Sequence, residues 1–324
     1  MNIQSFDPQH IPSIAKLYCQ SLTPLQSSTA LSPDLLGPRV IEQNIQQNTD
    51  RLHGYVAMEQ DDLVGWFIYF KPHFPFFSRT KGIYSPDWGF GAVGDHRIHI
   101  MEALYTHASK PWMSEGRFTH TLSVDPTDHD LLQSLFALGF GQQVLDAVRD
   151  LSPIQGNPAI TIRKATLEDE DLLAAMDKKI DQHLTASPCY LYCEEDDDDE
   201  PEEAWMAEPG NTAFIAYIEG KPVGAIKAHA PEADLSYLVQ ILEKDTLAVC
   251  GMQVDPKYRG QGIAAALLNA VIDDAKATGK ARLSVDFETA NVAGRRFWLR
   301  HFDPVRICVV RRLDDRFFDL EQDL

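Results

Sequence analysis

No run of about 18 apolar residues occurs in the 324-residue chain, so no segment reads as a membrane-spanning helix. The opening MNIQSFDPQHIP has neither a basic flank nor an apolar stretch and does not read as a secretory signal. Cysteine is scarce: Cys19, Cys189, Cys193, Cys250 and Cys308 are odd in number and scattered, which argues against a disulfide framework and for a reducing cytoplasm. Cys189 and Cys193 lack a second Cys or His pair, so they read as loop or core residues rather than zinc ligands, and no metal is expected. Basic residues are few. There are 29 Lys and Arg against 48 Asp and Glu, a net charge of −19, which repels nucleic acid and anionic membranes as partners. The imbalance is uneven, with 10 bases against 16 acids in residues 1–152 and 19 against 32 in residues 153–324. Nine of those acids lie in the run from Glu194 to Glu203, too densely charged to pack and expected to be solvated.

What the chain has is enough apolar residue, 44%, to build cores, and enough length for two domains of about 150 residues. It also repeats itself. Leu-Ser-Val-Asp stands at 122–125 and again at 283–286; Asp130 and Phe136 then match Asn291 and Phe297. Upstream, Val64-Gly65 matches Val223-Gly224, Tyr55 and Ala57 match Phe214 and Ala216, and Ile3 matches Ile162. The shared order and near-constant offset point to two copies of one α/β domain, residues 1–152 and 159–324. The turn-rich stretch Ser152–Pro158 joins them.

The second copy reads as a strand, Ile160–Lys164, and a helix from about Leu167 that Thr166 could cap. A hairpin follows, Ala213–Glu219 and Pro222–His229, turning at Gly220-Lys221. Then come a strand, Leu247–Val254, a helix from about Gly262 to Thr278 closed by Gly279, a strand, Ala281–Phe287, a helix, Asn291–His301, and a last strand, Val305–Leu313.

The chemistry sits at Val254-Asp-Pro-Lys-Tyr-Arg-Gly-Gln-Gly-Ile-Ala264. A β-rich run stops at a proline, and two glycines open a helix whose inner face is Ile263, Leu267, Leu268, Val271 and Ile272. The first amides of a helix have no internal partners, and the helix dipole adds roughly half a positive charge there. Gly260 and Gly262 let a phosphate approach the backbone, and Arg259 adds a full charge. No Gly-Lys-Ser/Thr follows, so this is not a P-loop, and the spacing misses the dinucleotide fingerprint.

Arg259-x-x-Gly262-x-Ala264, with Met252-Gln253-Val254 before it, resembles motif A of the GCN5-related N-acetyltransferases, the GNAT superfamily. Asn291 through Phe302 resembles that family's next segment, and the likeness covers about residues 160–315. It implies an α+β fold of two tandem GNAT-like domains, each a mixed, mostly antiparallel sheet flanked by helices. It implies acetyl-CoA as cosubstrate. The strand ending at Val254 would splay from its neighbour, leaving backbone groups of Met252 and Val254 to pair with pantetheine. The amides from Arg259 through Gly260, Gln261, Gly262 and Ile263 to Ala264 would hold the pyrophosphate. An amide near Met252 would stabilise the oxyanion, and Asn291 with Phe297 and Trp298 would line the far side of the pantetheine.

The sequence departs from the family where a Tyr often protonates the departing thiolate; Trp298 stands there and cannot serve as an acid. Transfer survives that loss in principle, because a thiol of pKa about 8.5 leaves tolerably unprotonated. Asp286, Glu288 and His229 are the candidate bases for the incoming ammonium. Cys250, inside an apolar strand with no paired His, reads as a core cysteine.

The first copy has lost the cradle. His96, Arg97, Ile98 and His99 stand where small residues should admit phosphate. Gly89-Phe-Gly-Ala-Val-Gly94 matches Gly-x-Gly-x-x-Gly but follows no buried strand, so it does not read as a dinucleotide site. His96 and His99 lack a carboxylate-rich second pair and do not read as metal ligands. The first copy therefore resembles a degenerate GNAT domain acting as structural partner. The functional expectation is an N-acetyltransferase working by direct transfer to a primary amine of a small cationic molecule, drawn in by the acidic run. The alternative is a non-catalytic acyl-CoA sensor or scaffold. The sequence leaves the oligomeric state open.

Overall fold

A computed structural model describes residues 1–21, 38–72, 77–193, 202–230, 245–314 and 316–317. The chain forms two compact units, Met1–Leu145 with Pro304–Leu324, and Asp146–Asp303.

The first unit contains β1 (Asn2–Ser5), α1 (Ile11–Ser21), α2 (Pro38–Gln47), β2 (Leu52–Glu59), β3 (Asp62–Phe70), β4 (Lys81–Ser85), β5 (Phe90–Ala92), α3 (Arg97–Ser114), β6 (Arg117–Val124) and α4 (His129–Ala137). β7 (Gly141–Asp150) then carries the chain toward the second unit. The second contains β8 (Thr161–Lys164), α5 (Glu170–Thr185), α6 (Glu202–Ala207), β9 (Thr212–Ile218), β10 (Lys221–His229), β11 (Thr246–Val254), α7 (Ile263–Ala277), β12 (Arg282–Glu288) and α8 (Val292–His301). The last strand, β13 (Asp303–Arg312), pairs antiparallel with β6 from Ile307↔Val124 to Arg312↔Thr119. The sequence reading placed the last strand with the second copy; its residues Ile307–Arg312 take ladder partners from β6 of the first unit.

Within each unit the strand order is the same. β1-β2-β3 and β8-β9-β10-β11 are antiparallel, and each series ends in a parallel pair, β4 with β6 and β11 with β12. The repeat extends to register. Ile3 stands opposite Ala57, and Ala57 opposite Gly65; Ile162 stands opposite Ala216, and Ala216 opposite Gly224. Both hairpins carry their extra residue at the matching place, Val64 in one and Val223 in the other. A one-residue slip would turn every side chain to the wrong face, so shared register and bulge are strong marks of one architecture used twice.

Local signals explain the second unit. The Asp169 carboxylate accepts from the Thr166 amide at 2.8 Å and ends the loop before α5. Glu219 and Gly220 both have positive φ, the geometry of a tight hairpin turn. Gly279, at φ +73, stops α7. α5 lays Leu173 and Met176 on Ala213, Ile215 and Ala225 on one face of the sheet. α7 packs across β9, β10 and β11, burying Ile263, Leu267, Leu268, Val271 and Ile272. Fully burying each such side chain is worth roughly 2 kcal/mol.

The two parallel pairs end differently. In the first unit β4 stops at Ser85↔Leu122, because Pro86 has no N–H to continue the ladder, and the chain turns back as β5 against β3. Gly89 and Gly91 belong to that return: a Cβ on Gly89 would lie 2.5 Å from the Ile68 carbonyl, and one on Gly91 2.4 Å from the Trp66 ring. The glycine pattern at 89–94 thus serves close packing of β5. No helix of the described residues is long and apolar enough to cross a membrane.

Candidate active site

β11 and β12 run side by side from Thr246↔Arg282 to Val249↔Val285, and there their pairing ends. Yet β11 continues to Val254 and β12 to Glu288. The cause is visible in β11. Against β10, the register passes from Ala228↔Val249 to Lys227↔Gly251, so Cys250 is an extra, bulged residue. A bulge bends and twists its strand. Beyond it, one edge of Gly251–Val254 remains paired to β10, and the other leaves β12.

At the far end of β11 the chain makes a short turn, Pro256–Tyr258, and then enters the glycine segment. Gly260 and Gly262 both adopt the left-handed conformation, at φ +78 and +80, which alternates the peptide planes into an anion-binding concavity. Among the described residues, the amides of Gly260, Gln261, Gly262, Ile263 and Ala264 have no hydrogen-bond acceptor. A Cβ on Gly260 would meet nothing within 4 Å. Arg259 folds back so that its Nε donates to the Val254 carbonyl at 3.1 Å. That bond occupies an acceptor the sequence reading reserved for pantetheine, and it fixes the guanidinium beside the cradle. These features fit a diphosphate.

α5 covers the opposite face of the sheet and contacts β10 and β11. Three of its residues, spaced one turn apart, trace a line. A Cβ on Gly251 would lie 3.8 Å from Asp177 Oδ1 and 3.4 Å from Ile180 Cδ1. One turn on, His183 Nε2 stands 3.2 Å from Asn291 Oδ1, at the start of α8. The helix therefore runs from β11 to the segment that follows β12. Beneath it, Lys227 Nζ is bound by Asp177 and Glu202, each at 2.8 Å, and lies 4.1 Å from the Trp205 ring centre. Burial presses the Lys227 ammonium toward neutrality, but the two carboxylates outweigh it and hold it charged. Glu202 is nonetheless pushed up, because burial, and then Asp177, outweigh the lysine.

Cys250 corrects the sequence reading: it is exposed, not a core residue. The crowding protein pushes its thiol up to about 12; Asp177 and Asp286 add to that and Lys227 opposes it. Such a thiol is no nucleophile near neutral pH.

The other sequence-derived residues fall as follows. Met252 and Val254 lie on the stretch of β11 that has left β12, and Gln253 is buried there. Asp286 and Glu288 are half-buried at the end of β12. Burial raises the Glu288 carboxyl, and Asp286 adds to the effect. Asn291 caps α8, accepting from the Gly294 amide at 3.1 Å. Phe297 is half-buried and stacks edge-on against His301 and Trp298, and Trp298 is buried against Phe302. His229 is apart from this group. It pairs with Ala248, on the still-paired side of the bulge, with Nδ1 2.8 Å from the Ala230 carbonyl. Residues 194–201 of the acidic run lie outside the described residues. Sequence reasoning missed His183, Asp177 and Trp205; only the packing of α5 and α6 brings them here.

In the first unit the corresponding place is closed. Arg97, the first residue of α3, grips Asp128, the cap of α4, through two hydrogen bonds of 2.6 and 2.8 Å. Among the described residues, no group of three His, Cys, Asp or Glu side chains is arranged to hold a metal ion.

The profile of the acetyltransferase (GNAT) family matches residues 180–303. An uncharacterised N-acetyltransferase of Methanocaldococcus jannaschii is 33% identical over 67 residues, 21% of this chain and 27% of that protein, so the match spans about a quarter of the relative's length. A GCN5-related N-acetyltransferase from Sphaerobacter thermophilus aligns with TM-score 0.57 at 13% identity, covering 96% of this chain and 95% of the other. That likeness is one of fold. A conserved protein of unknown function from Staphylococcus epidermidis aligns with TM-score 0.41 at 15% identity, covering 81% of this chain and 95% of the other.

Proposed function

On the premise that residues 180–303 match the acetyltransferase (GNAT) family, we propose that the chain transfers an acetyl group from acetyl-CoA to a primary amine by direct transfer in a ternary complex. The observation that carries this reading is the row of amides from Gly260 to Ala264, without an acceptor among the described residues, beside two strands that have parted. The amides and Arg259 would bind the pyrophosphate, and the loosened edge of β11 at Met252 would pair with the pantetheine and stabilise the oxyanion. Asn291, Phe297 and Trp298 would line the side toward α8. Acetyl-CoA supplies an activated acyl group; the protein binds it, excludes water and handles the proton.

We read the acceptor as a small cationic molecule. Asp177, Glu202, Asp286 and Glu288 all lie on α5, α6 and β12 about this region, and Lys227 is bound by the first two. Tyr190 and Tyr192, 74% and 79% exposed, offer aromatic faces that attract cations. The first unit, with Arg97 locked on Asp128, serves as structural partner.

A second reading, a non-catalytic acyl-CoA-binding protein, draws on Trp298, buried where the family often has its acid. Two measurements decide. Calorimetry should detect acetyl-CoA binding that Gly262→Trp abolishes; a chain indifferent to millimolar coenzyme A refutes both readings. Thiol release with a panel of amines should then be measurable, and a chain that binds without releasing thiol supports the scaffold.

A further inference from the structure

Asn291 Oδ1 accepts from the Gly294 amide, and an amide N–H can only meet an acceptor, so the orientation of the Asn291 side chain is fixed by the start of α8. The atom that Asn291 turns toward His183 is therefore an oxygen, 3.2 Å from Nε2. An oxygen acceptor requires Nε2 to carry the proton. In neutral imidazole that leaves Nδ1 with its lone pair. Nδ1 has no partner among the described residues, and His183 is only half-buried. The ring is thus held in one tautomer, with its basic nitrogen left without a partner among the described residues.

Its place matters as much as its state. His183 ends the line Asp177–Ile180–His183 along α5, which begins over Gly251 on β11 and finishes at Asn291, just past the end of β12. The parted ends of β11 and β12 lie between those two points. Among the candidate bases, His229 is on the paired side of the bulge and uses Nδ1 at the Ala230 carbonyl.

We propose that His183, oriented by Asn291, accepts the proton of the incoming ammonium, directly or through one water. The inference rests on the acetyltransferase reading and names a residue for its unassigned step. The proton passes from R–NH3+ to Nδ1, and the freed amine attacks the thioester carbonyl carbon. The C–S bond breaks as the C–N bond settles, and the sulfur leaves as thiolate. The amide nitrogen sheds a second proton. One of the two protons ends on the thiolate and the other passes to solvent, giving R–NH–acetyl, free coenzyme A and H+.

Three measurements on the full chain test this. Histidine-ring nitrogen NMR without any ligand should show His183 protonated at Nε2. Asn291→Ser, which retains a helix-capping side chain, should release that preference. A neutral His183 ring that carries its proton on Nδ1 overturns the proposal. His183→Ala should lower kcat at least 100-fold, leave acetyl-CoA affinity within threefold by calorimetry, and recover at least tenfold with added imidazole. Unchanged kcat, or a loss that imidazole does not restore, overturns the proposal, and abolition of turnover by Glu288→Gln then assigns the proton to Glu288. Failure of the acetyltransferase reading looks different: the wild-type chain then releases no thiol with any amine, while the tautomer measurement still reports on the His183–Asn291 contact.

Discussion

Asn157 packs against the bare Cα of Gly262, so closely that a Cβ there would come within 3.0 Å of the Asn157 Cβ. The same side chain donates to the Gln261 carbonyl at 2.9 Å. Two turns further along α7, Asn269 exchanges hydrogen bonds of 2.9 and 2.7 Å with the backbone of Ile154. The segment before β8 is therefore stitched along the first turns of α7, and it buttresses the glycine loop at Gln261 and Gly262.

Gly262→Ala is expected to weaken acetyl-CoA binding by about tenfold or more. Left-handed backbone costs a residue with a Cβ roughly 1–2 kcal/mol, and the Asn157 contact adds to it. Calorimetry measures the loss, and circular dichroism should show the fold retained. Gly260→Ala shares the backbone strain but not the contact, so it should lose less.

Lys227→Met should destabilise the chain by about 3 kcal/mol near pH 8, because Asp177 and Glu202 are left facing each other without a cation. The deficit should shrink as pH falls and a carboxyl takes up a proton, which burial already favours at Glu202. Urea midpoints at pH 8 and pH 5 give the comparison; an equal deficit at both contradicts it.

His120 makes the first unit acid-sensitive. It is buried, with Nδ1 2.8 Å from the Tyr105 hydroxyl, and burial lowers its pKa to about 4. Its unfolded value is near 6.5, so the folded state binds the proton less well. The stability this contributes is complete above about pH 6.5 and is lost on acidification to about pH 4, a change of up to about 3 kcal/mol. Urea midpoints from pH 7.5 to 4 should fall accordingly. His120→Leu should flatten that part of the profile, whatever its stability at neutral pH.

Replacing the acids of residues 194–200 by Asn and Gln should raise KM for a cationic acceptor at low ionic strength and change it little at high salt. Initial rates at the two ionic strengths provide the test; a KM unchanged at low salt removes the electrostatic funnel.

Much of this was legible in the chain. The matched positions Ile3 and Ile162, Ala57 and Ala216, and Gly65 and Gly224 recur in the same register because alternation and turn position fix a strand's pairing. The cradle was legible because glycine adopts the left-handed backbone at 260 and 262 without the penalty a Cβ brings, and the first amides of a helix have no partner within it. These are local properties, written into a few consecutive residues. The tertiary structure decided the rest. Cys250 looked like core until a bulge left it exposed, the last strand went to the first unit's β6, and His183 and Asn291, 108 residues apart, met only because α5 crosses from β11 to α8. No local rule announces such meetings, since they depend on which faces of distant elements bury together and where a strand gives up its partner.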